Sequence, residues 1–95
     1  MQTIDFVVRT GMGAVQRGEI AQNETITKVA VSTGSETSLN VRQIDIRGFT
    51  RVGDNLEIAL VDGRVILLEG YYGAAEDAPR LFISSNGYLN EVSLV

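Results

Sequence analysis

Hard oxygen donors gather where this chain turns. Asp54, Asn55, Asp62, Glu76 and Asp77 all lie in turn-forming stretches, the setting in which carboxylate and amide oxygens converge on calcium. Their spacing argues against such a site. Neither a D-x-[DN]-x-[DN]-G loop nor a glycine-aspartate nonapeptide repeat occurs, so these are read as structural turn residues. Two carboxylate pairs, Glu57 with Glu69 and Glu76 with Asp77, have the residue types for glycosidase-like acid-base work. That chemistry needs a cleft in a much larger scaffold, and the pairs read as solvated charges. Gly11-Met12-Gly13 resembles a fragment of a phosphate loop. It lacks both the later glycine of a dinucleotide fingerprint and the lysine of a P-loop, so it reads as a turn.

Lys28, the single lysine, falls within an alternating strand pattern and is expected to be an exposed strand residue rather than one end of an isopeptide cross-link. Tyr71 and Tyr72, between Gly70 and Gly73, are candidates for a sugar-stacking platform or an interface anchor, because tyrosine supplies contact area at low entropic cost. Histidine and cysteine are both absent. This removes the commonest neutral-pH base, the commonest zinc ligands, every disulfide and every Ser-His-Asp or Cys-His arrangement. The expectation is a non-enzyme with no catalytic, cofactor-binding or metal-binding residues.

The chain has 95 residues, enough for one domain with an adequate core and too few for two. Hydrophobic residues at 44% against 21% charged are ordinary globular composition. The net charge is −4 and the basic residues are scattered, so the basic stripe that nucleic acid requires is missing. No apolar run approaches the roughly 20 residues that span a bilayer, and Met1 to Arg9 lacks the basic start and long apolar region of a signal peptide.

The elements that must position these residues are strands. Ile4, Phe6 and Val8 alternate with Asp5, Val7 and Arg9 in a first strand with one buried face, and Thr25 to Ser32 alternates in the same way. Gly11 to Gly18 reads as a loop or weak strand, and Glu19 to Asn23 as room for a single helical turn. The turn at Thr33 to Glu36 is expected to join antiparallel flanks. Leu39 and Val41 are out of phase with Ile44 and Ile46, a slip that a bulge near Arg42 and Gln43 would explain. Gly70 to Pro79 is expected to be an exposed loop. Turn signals recur every eight to twelve residues and no sustained 3.6-residue period occurs. The fold expected is all-β, a small antiparallel sandwich or roll of seven to nine short strands with at most one helical turn.

Two hairpins dominate the second half, one turning at Asp62-Gly63 and one at Asn86-Gly87. A two-residue turn at Asp62-Gly63 sets Leu60 against Val65, Ile58 against Leu67 and Leu56 against Glu69 on a core face. The other face then carries Ala59, Val61, Ile66 and Leu68, too apolar for free solvation, and is a candidate interface together with Tyr71 and Tyr72.

From Ile46 onward an ordered set stands out: Ile46, Gly48, Gly53, Leu56, Ile58, Leu60, Asp62-Gly63, Ile66, Tyr71-Tyr72, Leu81-Phe82-Ile83-Ser84, Gly87, Leu89 and Glu91-Val92. In order and spacing it resembles the N-terminal, prefix-like domain of the large biofilm-associated adhesins of Gram-negative bacteria, the BapA type. The resemblance implies that residues 1–95 are a single β domain at the start of a much longer, repetitive protein. It further implies export by type I secretion without an N-terminal signal peptide, a cell-surface or extracellular location, and a role in surface retention or matrix assembly. Met1 leading directly into a strand and Val95 ending one suit such a module. The partners expected are proteins, further copies of the chain, or the outer-membrane secretion machinery. Two other functions fit the residues: a self-assembling module, amyloid-like or oligomeric, built on Val65 to Leu68, and a carbohydrate-binding module built on Tyr71 and Tyr72.

Overall fold

The computed structural model describes residues 3–11, 13–31, 34–72, 79–85 and 88–92. Among these described residues nine strands form two sheets. They are β1 (Ile4–Arg9), β2 (Val15–Ile20), β3 (Ile26–Ala30), β4 (Glu36–Leu39), β5 (Ile46–Val52), β6 (Asn55–Leu60), β7 (Val65–Glu69), β8 (Arg80–Ser85) and β9 (Tyr88–Glu91). Sheet A has the order β2-β1-β4-β8-β9, and sheet B the order β3-β7-β6-β5. The all-β class, the strand number and the near absence of helix are as the sequence implies.

Each sheet contains one parallel pair, β4 with β8 in sheet A and β3 with β7 in sheet B, while the other pairings are antiparallel. The chain therefore crosses from sheet B to sheet A between β3 and β4 and again between β7 and β8. The turn at 33–36 does not join antiparallel partners, because its flanking strands belong to different sheets. Backbone bonds extend the parallel pairings into the crossings. Val31 N donates to Glu69 O at 3.0 Å, and Arg80 N donates to Ser35 O at 2.9 Å. Gly70 lies close to the β3 end: its φ is +84°, and a Cβ there would lie 3.1 Å from Val31 O.

The phase slip after Val41 has a different cause from a bulge at Arg42 and Gln43. A 3-10 turn over Gln43–Asp45 separates β4 from β5, and the register of β5 against β6 shifts between Ile46 and Gly48. No helical turn follows Glu19, which lies inside β2; that strand pairs along its whole length with β1. Gly18 sits directly across from Phe6, whose ring occupies the space a side chain at 18 would need.

Ile4 and Val8 of β1 are buried as the alternation requires, with Phe6 partly buried beside them. Ile20, Leu39 and Leu81 from sheet A meet Leu56, Ile58, Leu60, Ile66 and Leu68 from sheet B, all but completely removed from solvent. Each such side chain contributes about 1.5–3 kcal/mol of transfer free energy. Two hydroxyls share this interior: Ser35 Oγ and Thr37 Oγ1, at the middle strand of sheet A, have no hydrogen-bond partner among the described residues. An unpaired buried hydroxyl costs more than the methyl group that replaces it. Thr37→Val is therefore expected to raise the unfolding free energy by about 1 kcal/mol, read as a higher urea midpoint at unchanged slope.

Candidate functional site

The β6–β7 hairpin decides which side chains face outward, and its turn differs from the two-residue turn expected. Gly63 N donates to Leu60 O at 3.1 Å and Leu60 N donates to Arg64 O at 2.9 Å, enclosing the three residues Val61, Asp62 and Gly63. Gly63 takes φ of +95°. This is a type I turn closed by a left-handed glycine, the geometry of a G1 bulge. The β1–β2 connection repeats it, with Gly13 N to Thr10 O at 3.0 Å, Thr10 N to Ala14 O at 2.8 Å and Gly13 at +89°.

The extra loop residue moves the strand register by one. Leu56 faces Leu68, Ile58 faces Ile66 and Ala59 faces Val65. A slip of one exchanges the two faces of a strand, so β7 sends Ile66 and Leu68 into the core and presents Val65 and Leu67 outward. Of the residues expected to form an interface, Ile66 and Leu68 are thus fully buried and have no surface to offer. Ala59 is half-buried on the outer face, and Val61 is exposed in the turn.

The same slip carries Arg64 inward, where it is 4% exposed. Asp62 accounts for this. Its Oδ2 accepts from Arg64 Nε at 2.8 Å and its Oδ1 accepts from Arg64 N at 3.0 Å. Arg64 Nη1 donates to the carbonyls of Ala21 at 3.2 Å and Ile20 at 3.4 Å, clipping the end of β2 in sheet A to the hairpin of sheet B. The backbone N–H of Arg64, and after it the guanidinium, hold the Asp62 carboxyl below its ordinary value against the opposing effect of burial. A carboxyl depressed in the folded state adds stability above its unfolded pKa, about 3.9, and that stability is lost as pH falls through the folded value. Urea midpoints measured between pH 6 and pH 2 are expected to drop at the acid end, and the drop should be smaller in Asp62→Asn.

Tyr71 is buried, and burial is the main reason its hydroxyl is pushed above the ordinary tyrosine value, with the charges of Tyr72 and Glu91 adding to it. Tyr72 is half-buried, its ring centroid 5.2 Å from that of Tyr71 at an interplanar angle of 76°. The Arg51 guanidinium stands 4.6 Å over the Tyr72 ring, and Tyr72 N donates to Asp54 O at 2.8 Å. Of the two rings only that of Tyr72 is partly open to solvent. Tyr71 belongs to the buried core and Tyr72 packs against it.

The described turn residues do not converge. Asp54 lies in the β5–β6 turn, Asn55 Oδ1 accepts from Gly70 N at 3.0 Å, and Asp62 is engaged with Arg64. Glu57 and Glu69 lie on the outer face of sheet B. Glu76 and Asp77 lie outside the described residues, as does the Asn86-Gly87 turn, although Ser85 pairs with Tyr88 on either side of it. No group of three or more acidic residues capable of holding a metal ion occurs among the described residues.

The outer face of sheet A is laced with charge. Arg80 makes a two-pronged contact with Glu91, Nε to Oε2 at 2.8 Å and Nη2 to Oε1 at 2.9 Å, reaches Glu36 at 3.3 Å and lies 5.0 Å over Phe82. Arg80 keeps the Glu91 carboxyl below its usual value. Beside this network is a shallow depression of about 200 Å³ between Val7, Ser38, Phe82 and Leu89. Sheet B offers the contrasting surface. Ile26, Val65, Ala59 and Gly48 stand side by side across all four of its strands, an apolar row with Ile26 60% exposed.

The family description "BapA, prefix-like domain" matches residues 14–91, most of the chain. The chain belongs to this family. The match reaches well upstream of the Ile46-to-Val92 residues that carry the resemblance, taking in β2, β3 and β4. Membership makes the chain a prefix-like module of the biofilm-associated adhesin type, which implies a surface or extracellular location, and the family is not one of enzymes. Comparison with curated proteins and with solved structures returns no match. No helix among the described residues of the prefix-like domain is long and apolar enough to cross a membrane.

Proposed function

We propose that this prefix-like domain is a contact module of a biofilm adhesin, acting in cell-surface retention or matrix assembly through its sheet faces. Family membership is the observation that carries this reading. The apolar outer row of sheet B supports it, because a solvated sheet face ordinarily alternates to polar residues on that side. Export by type I secretion, with the outer-membrane machinery as a transient partner, belongs to the same reading.

Deleting the domain from the adhesin that carries it tests the role. A fall in surface-bound adhesin supports retention. Lower biofilm mass with surface adhesin maintained supports matrix assembly. If both quantities match the wild type, the proposal fails.

A further inference from the structure

We propose that the outer face of sheet B binds the same face of a second copy of this chain, around a two-fold axis running along the strands between β6 and β7. The proposal deepens the contact role above and rests on it only in taking the task of the module to be association rather than chemistry.

The face is graded. Its first row runs Ile26, Val65, Ala59, Gly48 from the β3 edge to the β5 edge, each side chain no larger than the one before. A two-fold axis between the middle strands reverses that order in the second copy. Ile26 then meets Gly48, and Val65 meets Ala59, so that a thick edge lies on a thin one and the gap between the sheets stays even. The space is there: nothing among the described residues lies within 4 Å of where a Cβ on Gly48 would stand, and Ile26 is 60% exposed. The adjoining rows fit the same operation. Ala30 of β3 would face Val52 of β5, itself 47% exposed.

Charge is also self-complementary. The second row reads Lys28, Leu67, Glu57, Thr50. The two-fold places Lys28 over Thr50 of the other copy, one strand from its Glu57, and its long stem can bring the ammonium to that carboxylate. Two such pairs form per dimer, each with its Glu57 standing over the Leu67 stem of the facing copy. Aligned packing of twisted sheets accommodates this arrangement.

The face spans four strands and about five residues, roughly 19 Å by 17 Å at ordinary strand spacing and rise. That is well below the area of a standard specific interface, so the contact is of the weak, transient class. Weak pair contacts between many surface-tethered copies suit a cohesive matrix, because tethering multiplies them.

Sedimentation equilibrium of the 95-residue chain from micromolar to millimolar concentration tests the proposal. Wild type should pass from monomer to dimer. Gly48→Ile fills the gap that receives Ile26, at a position with no left-handed backbone to strain, and should stay monomeric while melting no lower than wild type. Lys28→Glu should weaken the dimer at least tenfold, and adding Glu57→Lys should restore it. A wild type that is monomeric throughout overturns the proposal, as does a Gly48→Ile variant that dimerises like wild type. Either failure leaves the family role to be judged by the deletion experiment.

Discussion

Replacing Arg64 with methionine is expected to lower the unfolding free energy by about 2–3 kcal/mol. The substitution keeps much of the buried stem but removes the guanidinium that ties Asp62 to the carbonyls of Ile20 and Ala21. Losing one partner of a fully buried pair costs about 3–5 kcal/mol. Asp62 retains 24% side-chain exposure and can regain water, which brings the figure down. Two carbonyls that lose a donor add about 1 kcal/mol each where water cannot reach them. For a domain of this size the midpoint temperature should fall by roughly 10–20 °C. Thermal unfolding followed by circular dichroism measures it directly. With the two-residue turn, Arg64 would project to solvent and the same substitution would change stability by less than about 0.5 kcal/mol.

A pair of neighbouring substitutions gives the second large effect. Ile66→Asp should abolish folding, while Leu67→Asp should leave a folded protein. Ile66 is completely buried between the sheets, and a carboxylate there has no partner. The loss, at least about 4–5 kcal/mol, is a large part of the whole stability of a small domain. Leu67 is half-exposed on the outer face, between Lys28 and Glu57 in the register, and an aspartate there remains hydrated at a cost of about 1 kcal/mol or less. Far-ultraviolet circular dichroism with urea titration of both variants reads the difference. A two-residue turn would exchange the two outcomes, so the comparison tests the hairpin register itself.

That register shows where sequence reasoning reached its limit. Asp-Gly between apolar strands announces a hairpin, and the hairpin is there. The same pair suits both a two-residue turn and a type I turn with a left-handed glycine, and the choice moves every side chain of β7 to the other face. Favouring the most apolar core face selects the two-residue turn, because the alternative buries an arginine. What outweighs that cost is Asp62 two residues before Arg64, together with two carbonyls from the distant β2 end, a contact between residues 43 and 44 positions apart. The Asp-x-Arg spacing was visible in the chain, but the carbonyls that complete the site were not.

The strands themselves were legible because alternation is local: Ile4, Phe6 and Val8 read correctly, as did the Val29 and Leu39 phases. The two parallel pairings were not, since β3 with β7 and β4 with β8 join segments about forty residues apart with no local signal. The candidate face was half legible. The sequence implies an apolar outer surface on the β6–β7 hairpin, and Ala59 is on it. Val65 and Leu67 take the places expected for Ile66 and Leu68, and β3 and β5 extend the surface with Ile26 and Gly48.

On the reading proposed above, the domain works by contact through the outer face of sheet B. Leu67→Asp introduced into the adhesin that carries the domain tests it most directly, because the substitution alters that face and spares the fold. At equal expression, biofilm mass per cell is predicted to fall several-fold below wild type. Biofilm mass equal to wild type, with the variant domain shown to be folded, would contradict the claim.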